Sequence, residues 1–185
     1  MKLAELIKER RSIQLYEDRP VDLEQLKGML DTAVWVPNHK MTEPWRFVIV
    51  HGESLKKVAE LNRKFSATGS SDEDRKRSGE KAYQKIKDVP VLLMVIMDEN
   101  PDAKLREEDY AATSCLIQNF SLLAWEQGIG MIWKTGALTT QANFRELIGV
   151  KRGEKVVGMV QIGYPAKVPK ARNRTDVQKR IEELN

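Results

Sequence analysis

The sequence predicts one folded domain in which helices and strands interleave along the chain. With 185 residues, 41% of them apolar, the chain is long enough to bury one hydrophobic core. Charged residues make up 31% and alternate in sign, and the segments between them show apolar periodicity, which excludes wholesale disorder. Apolar residues at helical spacing alternate with continuous strand-like runs. We therefore expect residues 1–185 to form a single domain of mixed α and β structure.

The first elements are two helices followed by a loop. Apolar residues recur at helical spacing from Leu3 to Ile7, and the cationic run at Arg10–Ser12 closes that helix. Asp22 can cap a second helix, which Pro37 prevents from continuing. The first predicted helix thus ends in a pair of arginines, and a loop follows the second.

The middle of the chain supplies two strands and two helices. Residues 46–50 read as a buried strand, and residues 54–65 return to helical spacing. The composition of residues 66–74 is typical of a linker, so we expect a mobile surface segment rather than a domain boundary. The apolar run at 90–97 predicts a central strand covered on both faces, and residues 107–127 predict a helix that is apolar around most of its circumference.

The last third contains two more strands and an extended basic tail. Strands are predicted at 131–133 and 156–163, with a helix near 141–148 between them. Residues 165–185 have little apolar surface of their own and end in a short charged helix that Thr175 can cap. We expect this C-terminal arm to pack on another surface.

Composition excludes several classes of function. The formal net charge is only +4, so a nucleic-acid partner is not expected. The single cysteine, Cys115, rules out an internal disulfide, and His39 and His51 are the only imidazoles, so no metal site is expected. No apolar run reaches the length of a membrane span, and the N-terminus lacks the pattern of a signal peptide, which predicts a cytoplasmic protein. Dinucleotide and phosphate-loop motifs do not occur.

Cationic and aromatic residues are instead concentrated at the ends of the predicted elements. Two arginines and a hydroxyl can hold a phosphate through charge-assisted hydrogen bonds, and tryptophans provide flat apolar walls for a ring system. Taken singly, each feature also has a structural explanation, since an arginine pair at a helix end is commonly solvated and a tryptophan before a strand commonly belongs to the core. Together they favour an aromatic phosphate ester. The residues concerned are Arg10, Arg11, Ser12, Trp35, His39, Lys40, Trp45, Arg46, Trp133, Lys134, Thr135, Arg172 and Arg174.

The order of these motifs resembles the flavin-dependent nitroreductase family along essentially the whole chain. The motifs are Arg10–Ser12, 37–40 running into 43–47, 109–112, 127–130 with Trp133, and 162–165. The short chain and the His39-Lys40 pair resemble the single-domain branch of that family. The resemblance implies an α+β fold with a mostly antiparallel central sheet flanked by helices, built as an intertwined homodimer with two FMN sites at the interface. The arm at 165–185 would then pack on the partner subunit.

The resemblance also assigns roles to individual residues. Arg10, Arg11 and Ser12 would bind the FMN phosphate and ribityl chain, with Arg172 as a further phosphate contact. The run of Trp133, Lys134 and Thr135 would lie along the isoalloxazine, and the group formed by Trp35, Asn38 and His39 would reach that flavin from the other subunit.

Three positions depart from the commoner pattern of the family. Gln14 replaces a basic residue, Met41 an asparagine and Glu43 a glutamine. A cation near the flavin pyrimidine stabilises the reduced anion, so with a neutral Gln14 that role falls to Lys134, to Lys40 or to no residue.

The implied function is that of an FMN-dependent NAD(P)H oxidoreductase acting on nitroaromatics, quinones or similar acceptors. Hydride would pass from NADH or NADPH to the flavin, and the acceptor would take the electrons after the nicotinamide has left the same site. No side chain is assigned as a general acid or base, because the sequence shows no convergent carboxylates. Two alternatives stay open: a flavin-binding or storage protein, and a relative with another flavin reaction, such as dehalogenation or flavin breakdown.

Overall fold

The computed structural model describes residues 2–184, which form six α-helices and a four-stranded sheet. The helices are α1 (Leu3–Glu9), α2 (Leu23–Ala33), α3 (Gly52–Ser66), α4 (Asp72–Lys87), α5 (Ala103–Glu126) and α6 (Ala142–Leu147). The strands are β1 (Trp45–Val50), β2 (Val91–Asp98), β3 (Gly130–Lys134) and β4 (Glu154–Gly163). The sheet has the order β1-β2-β4-β3, and every pairing is antiparallel. The predicted α+β class with an antiparallel central sheet is confirmed.

Helices cover both faces of the sheet. Alternate residues of β2 point to opposite faces: Leu93 and Val95 join a core with α2 and α5, whereas Leu92 and Met94 join a core with α3, α4 and α6. This double burial explains the continuous apolar run of β2. The helix α5 ends at Glu126, and Gly128 follows it with a φ of 75°, a left-handed conformation that suits glycine after a helix.

The segment predicted as a mobile linker, residues 66–74, contains the end of α3, a turn and the start of α4, a helix that the sequence analysis did not predict. Ser71 accepts a hydrogen bond from the backbone of Asp74 and caps α4, which continues to Lys87. The hydroxyl of Ser78 contacts both the N–H and the carbonyl of Thr68, closing the connection to α3. Residues 67–71 are therefore a tight turn between two packed helices.

An ion pair joins β1 to β4 near the end of the sheet where β2 ends. Arg46 donates two hydrogen bonds of 2.6 Å to the carboxylate of Glu154, which is only 6% exposed. These bonds, with a further one from the N–H of Lys151, lower the pKa of Glu154 to about 2. This end of the sheet is thus held by charge as well as by packing.

The C-terminal arm lies over the surface without forming an α-helix or a strand. In its described residues, 165–184, the one regular element is a 3-10 turn at Val177–Arg180. The cap of this turn is Asp176, which accepts from the N–H of Gln178, rather than the predicted Thr175. Residues 166–184 are exposed throughout. Within the described part of the chain, no helix combines the length and apolarity required to cross a membrane.

Candidate flavin site

Three guanidinium groups gather where α1 ends. The pKa of Arg10 is lowered, first by its own burial and then by the charges of Arg11 and Arg174. Arg11 donates to the carbonyls of Lys8 and Arg10 at 2.6 and 2.8 Å, which fixes the turn. Among residues 2–184, none of the three arginines has a carboxylate within 4.0 Å. A cluster of like charges without a counter-ion is a binding site for an anion.

Sequence reasoning assigned Arg172 to this cluster, whereas the structure brings Arg174 close enough to act on Arg10. Arg172 contributes its carbonyl, which accepts from the guanidinium of Arg174 at 3.1 Å. The Arg-x-Arg spacing puts both side chains on the same face of an extended segment, so the sequence alone could not choose between Arg172 and Arg174.

The chain that follows the arginines runs along the free edge of β3. Ser12 pairs with Met131, and the N–H of Ile13 donates to the Met131 carbonyl at 3.0 Å. Ile13 is fully buried, while its neighbours Ser12 and Gln14 are exposed. This edge segment connects the arginine cluster to Gln14, the first residue of the cavity wall.

That cavity has a volume of about 1340 Å³ and lies at the end of the sheet where β2 begins. Its wall comprises residues 14–21, Leu23, His51, Gly52, Lys81, Gln84, Lys85, residues 87–91, Lys134 and Gln161. It exceeds the roughly 300–1,000 Å³ of an ordinary small-molecule site, so it has room for a cofactor together with a substrate.

Two lysines face each other across this cavity. The pKa of Lys134 is lowered, first by burial and then by the positive charge of Lys85. Sequence reasoning included Lys134 but missed Lys85, which lies on the unpredicted helix α4. Gln161 on β4 is 1% exposed, and its side-chain nitrogen lies 3.4 Å from the carbonyl oxygen of Lys85. This contact connects β4 to the end of α4.

Tyr16 lines the same cavity and has a structural role. Its hydroxyl lies 2.8 Å from the carbonyl of Ile13 and 3.1 Å from that of Gln161. Burial raises the pKa of this phenol, so the hydroxyl stays protonated and bonded to the backbone.

The structure divides the predicted run from Trp133 to Thr135. Only Lys134 lines the cavity; Thr135 is exposed beyond β3. The indole of Trp133 donates to the carbonyl of Val157 at 3.0 Å and packs over Gly158, where an added Cβ would lie 2.4 Å from the indole nitrogen. Gly158 therefore accommodates the tryptophan on the sheet.

The remaining predicted residues lie on the connection from α2 to β1. Trp35 is 85% exposed and Met41 is 70% exposed, which is unusual for large apolar side chains. Three non-glycine residues, Lys40, Met41 and Glu43, have left-handed backbone with φ of 58°, 49° and 40°, a conformation that costs about 1–2 kcal/mol per residue. We call residues 38–43 the loop.

The loop and the cavity lie at opposite ends of the sheet. The cavity adjoins Val91, the first residue of β2, whereas the carbonyl of Pro44 accepts from Asp98, the last residue of that strand. An eight-residue strand spans roughly 20–25 Å. In addition, β1 and β3 are the two edges of the sheet. One chain therefore holds the two predicted groups of flavin contacts far apart.

Comparison with known proteins places this fold in a family. The model of the Nitroreductase family matches residues 7–164. YfhC of Bacillus subtilis, provisionally named an NAD(P)H nitroreductase, is 38% identical over 98% of this chain and 94% of its own length. The structure of a nitroreductase-like family protein from Bacillus cereus has a TM-score of 0.87 at 37% identity, covering 100% of this chain and 96% of that one.

More distant relatives extend the comparison. An iodotyrosine deiodinase of Nematostella vectensis is 26% identical over 96% of this chain and 72% of its own length. A variant of NfnB from Sphigopyxis sp. strain HMH, described as an FMN and NADPH-dependent nitroreductase, shares the fold with a TM-score of 0.78 at 19% identity, covering all of both chains. The family match spans most of the chain, and we conclude that this protein belongs to the nitroreductase family and is an oxidoreductase.

Proposed function

We propose that this protein is a homodimeric, FMN-dependent NAD(P)H oxidoreductase that reduces nitroaromatics, quinones or similar acceptors. The observation that carries the proposal is the cluster of Arg10, Arg11 and Arg174, which lacks a counter-ion and adjoins a cavity lined by Lys85 and Lys134. FMN has a phosphate at one end and a ring system at the other, so it requires a cationic group of residues beside a cavity with both polar and apolar walls.

The residues present fit FMN at both of its ends. Forked guanidinium groups bind phosphate through paired charge-assisted hydrogen bonds, and such binding would relieve the mutual repulsion that lowers the pKa of Arg10. In the cavity, Gln14 and Gln161 offer amide groups to a ring system, while the two lysines offer positive charge. The neutral Gln14 thus lines the same cavity as two cations from other elements, Lys85 and Lys134.

When bound, FMN supplies the redox chemistry, accepting a hydride from NADH or NADPH and passing electrons to the acceptor. Lys85 and Lys134 would stabilise negative charge at the pyrimidine edge of the ring system and favour its reduced form. Tyr16 keeps its proton, so water remains the source of protons for the acceptor. Donor and acceptor would use one cavity in turn and therefore compete for it.

The dimer is part of the proposal because one chain separates the two groups of contacts. Trp35, Asn38 and His39 precede β1 at one edge of the sheet, whereas Lys134 ends β3 at the opposite edge of the same chain. A second copy would bring its own loop to this cavity and bury Trp35 and Met41, which one chain leaves exposed. The C-terminal arm is equally exposed in one chain, and we expect it to pack on the second copy. NAD(P)H is abundant in the cytoplasm, where we place the enzyme.

The test begins with the spectrum of the purified protein and a titration of the flavin-free protein with FMN. We expect a yellow protein with one FMN per chain, bleached anaerobically by NADH or NADPH and recoloured by a quinone. Flavin binding without reduction by either nicotinamide would indicate a storage protein instead. Absence of FMN binding would contradict the proposal.

A second candidate activity is reductive dehalogenation, which the similarity to iodotyrosine deiodinases favours. Release of halide from halogenated phenols by the reduced protein distinguishes it. We expect turnover with quinones and nitroaromatics to exceed halide release, because the relative named as an NAD(P)H nitroreductase is 38% identical and the deiodinase only 26% identical.

A further inference from the structure

We propose that Asp109 is a positioning residue that holds the loop in the shape with which it meets the flavin of a second copy. The inference rests on the proposed function, in which residues 38–43 reach the cavity of the partner. Neither the resemblance nor the comparisons assign a role to Asp109, which lies in the first half of α5 and is 2% exposed.

The contacts of Asp109 lead out of its helix. Its carboxylate accepts a hydrogen bond from the hydroxyl of Thr42, and that hydroxyl accepts one from the side-chain amide of Asn38 at 3.0 Å. The other end of the same amide accepts from the N–H of Glu43 at 2.7 Å. A chain of hydrogen bonds thus runs from the buried carboxylate through both ends of the loop.

The adjacent residue on α5 makes a second contact with the loop. An oxygen of Glu108 lies 3.9 Å from Nδ1 of His39, is shielded from solvent and has no hydrogen-bond partner among the described residues. Two consecutive acidic residues of α5 therefore face the loop, one through a hydroxyl and the other through an imidazole.

The loop requires such anchoring. Lys40, Met41 and Glu43 have left-handed backbone without being glycine, so the unbound segment would relax toward ordinary conformations. The packing of α5 gains nothing from a buried carboxylate, since within residues 2–184 Asp109 has no cation within 4.0 Å and an apolar side chain would be cheaper to bury there. A costly buried group that fixes a strained, exposed loop is typical of a functional site.

Anchoring would also explain how Asn38 contributes. The amide of Asn38 is already used to hold Thr42 and Glu43, so in this chain it shapes the loop. The exposed side chains of the loop, at His39, Lys40, Met41 and Glu43, are the groups that can face a second copy. Asp109 therefore controls the direction of these side chains from the far side of the loop.

The experiment measures FMN affinity and backbone exchange in variants of the full-length protein. Thr42→Val removes the hydroxyl and Asp109→Ala removes its acceptor, so each should weaken FMN binding about tenfold. The double variant should be no weaker than either single one, because both remove the same link. Thr42→Ser keeps the hydroxyl and should bind FMN within about twofold of wild type. Amide hydrogen exchange across residues 38–43 of the flavin-free protein should accelerate in Thr42→Val and Asp109→Ala only.

A matched control is Thr113→Val, one turn further along α5, where a fully buried hydroxyl donates to the carbonyl of Asp109 at 2.8 Å. It should lower the melting temperature and leave FMN affinity within about twofold of wild type. Three results would each overturn the inference. They are a double variant whose loss of FMN affinity is the product of the single losses, a Thr113→Val variant that weakens FMN binding as much as Thr42→Val, and unchanged amide exchange across the loop. Thr42 lies outside the core, so Thr42→Val should fold and still tests the anchoring of the loop if Asp109→Ala does not fold. Wild-type protein that fails to bind FMN would instead refute the proposed function, and the exchange measurement then still reports on the anchor.

Discussion

The two ends of the central sheet differ in how they handle charge. At the end where β2 begins, Lys85 and Lys134 line an open cavity near Arg10, and burial together with neighbouring like charges lowers the pKa of Arg10 and Lys134. At the end where β2 stops, the charged groups have partners within the chain: Arg46 pairs with Glu154, and Asp109 accepts a hydrogen bond from Thr42 of the loop. The first end is arranged to receive an anionic ligand, and the second is arranged to hold a rigid shape.

This contrast bears on how the site is completed. Open cationic groups need a ligand, and a rigid, exposed loop needs a surface to meet. The two ends of one sheet are roughly 20–25 Å apart, so the loop of one chain does not reach the cavity of the same chain. Two copies arranged so that the loop of each reaches the cavity of the other satisfy both.

The largest effect is expected where both cations at the end of α1 are removed. Arg10→Ala with Arg11→Ala should weaken FMN binding at least about a hundredfold, since a charge-assisted bond to phosphate contributes about 1.5–3 kcal/mol. The flavin-free protein should be no less stable, because the substitutions remove repulsion. Titration with FMN and thermal unfolding measure the two results. Arg152→Ala, an exposed arginine in the turn before β4, is the control, and an unaltered FMN affinity in the double variant would remove the phosphate assignment.

The next largest effect concerns stability at the opposite end of the sheet. Glu154→Gln should lower the free energy of unfolding by about 2–3 kcal/mol at pH 7, because it leaves Arg46 without its partner. The folded pKa of Glu154, about 2, lies below its ordinary value of 4.5, so the stabilisation is complete above pH 4.5 and is lost as pH falls toward 2. Denaturant unfolding between pH 7 and pH 3 should therefore show a flatter profile for the variant.

The control for this prediction is Glu53→Gln. Glu53 pairs with Lys56 at 2.6 Å, but both side chains are more than half exposed, so the effect should stay below about 1 kcal/mol. Equal losses from Glu154→Gln and Glu53→Gln would mean that the buried pair does not hold this end of the sheet.

The lysines of the cavity should show a smaller effect on the flavin. Lys85→Gln and Lys134→Gln should each weaken FMN binding about threefold to tenfold and lower its midpoint potential by about 15–30 mV, as loss of a nearby cation disfavours the reduced form. Because the pKa of Lys134 is lowered, this lysine loses its proton at a lower pH than an ordinary lysine. The wild-type affinity should fall as it does so, and Lys134→Gln should abolish that fall. Lys76→Gln, exposed on α4 away from the cavity, is the control; equal shifts there would indicate a general charge effect.

The sequence allowed only some of the residues near the cavity to be predicted, because the helix α4 was not recognised. Arg10, Arg11, Gln14 and Lys134 could be found from element ends and from family resemblance, but Lys85 could not. The helix α4 buries only Gly79, Ala82 and Ile86, so it lacks the apolar stripe that reveals a helix. Its N-terminal residues are serines and acids, which resemble a linker when the packing of Gly79 against Arg63 is unknown.

At the loop end, sequence patterns identified the residues and missed their arrangement. The loop was placed correctly after α2, because Pro37 stops that helix. Left-handed backbone at Lys40, Met41 and Glu43 has no local signal, since it is imposed by contacts with α5 rather than by glycines. Asp109 belongs to a motif of the resemblance, but only its burial shows that it supports the loop.

The smallest effect separates two roles for Trp133. Trp133→Phe removes the hydrogen bond to Val157 and should destabilise the protein by about 1 kcal/mol. FMN affinity should stay within about threefold of wild type, because the indole packs over Gly158 on the sheet rather than lining the cavity. A tenfold loss of affinity without a change in stability would instead place the indole against the flavin.

The most direct test of the two-chain site is complementation between two inactive chains. One chain carries Arg10→Ala with Arg11→Ala, and the other carries Asn38→Ala with His39→Ala, so each homodimer should bind FMN poorly. In the mixed dimer, one site combines the intact cavity of the second chain with the intact loop of the first. We predict that the isolated mixed dimer binds one FMN per two chains with wild-type affinity, as measured by flavin titration. Mixed dimers that bind FMN no better than the parent homodimers would contradict the two-chain site.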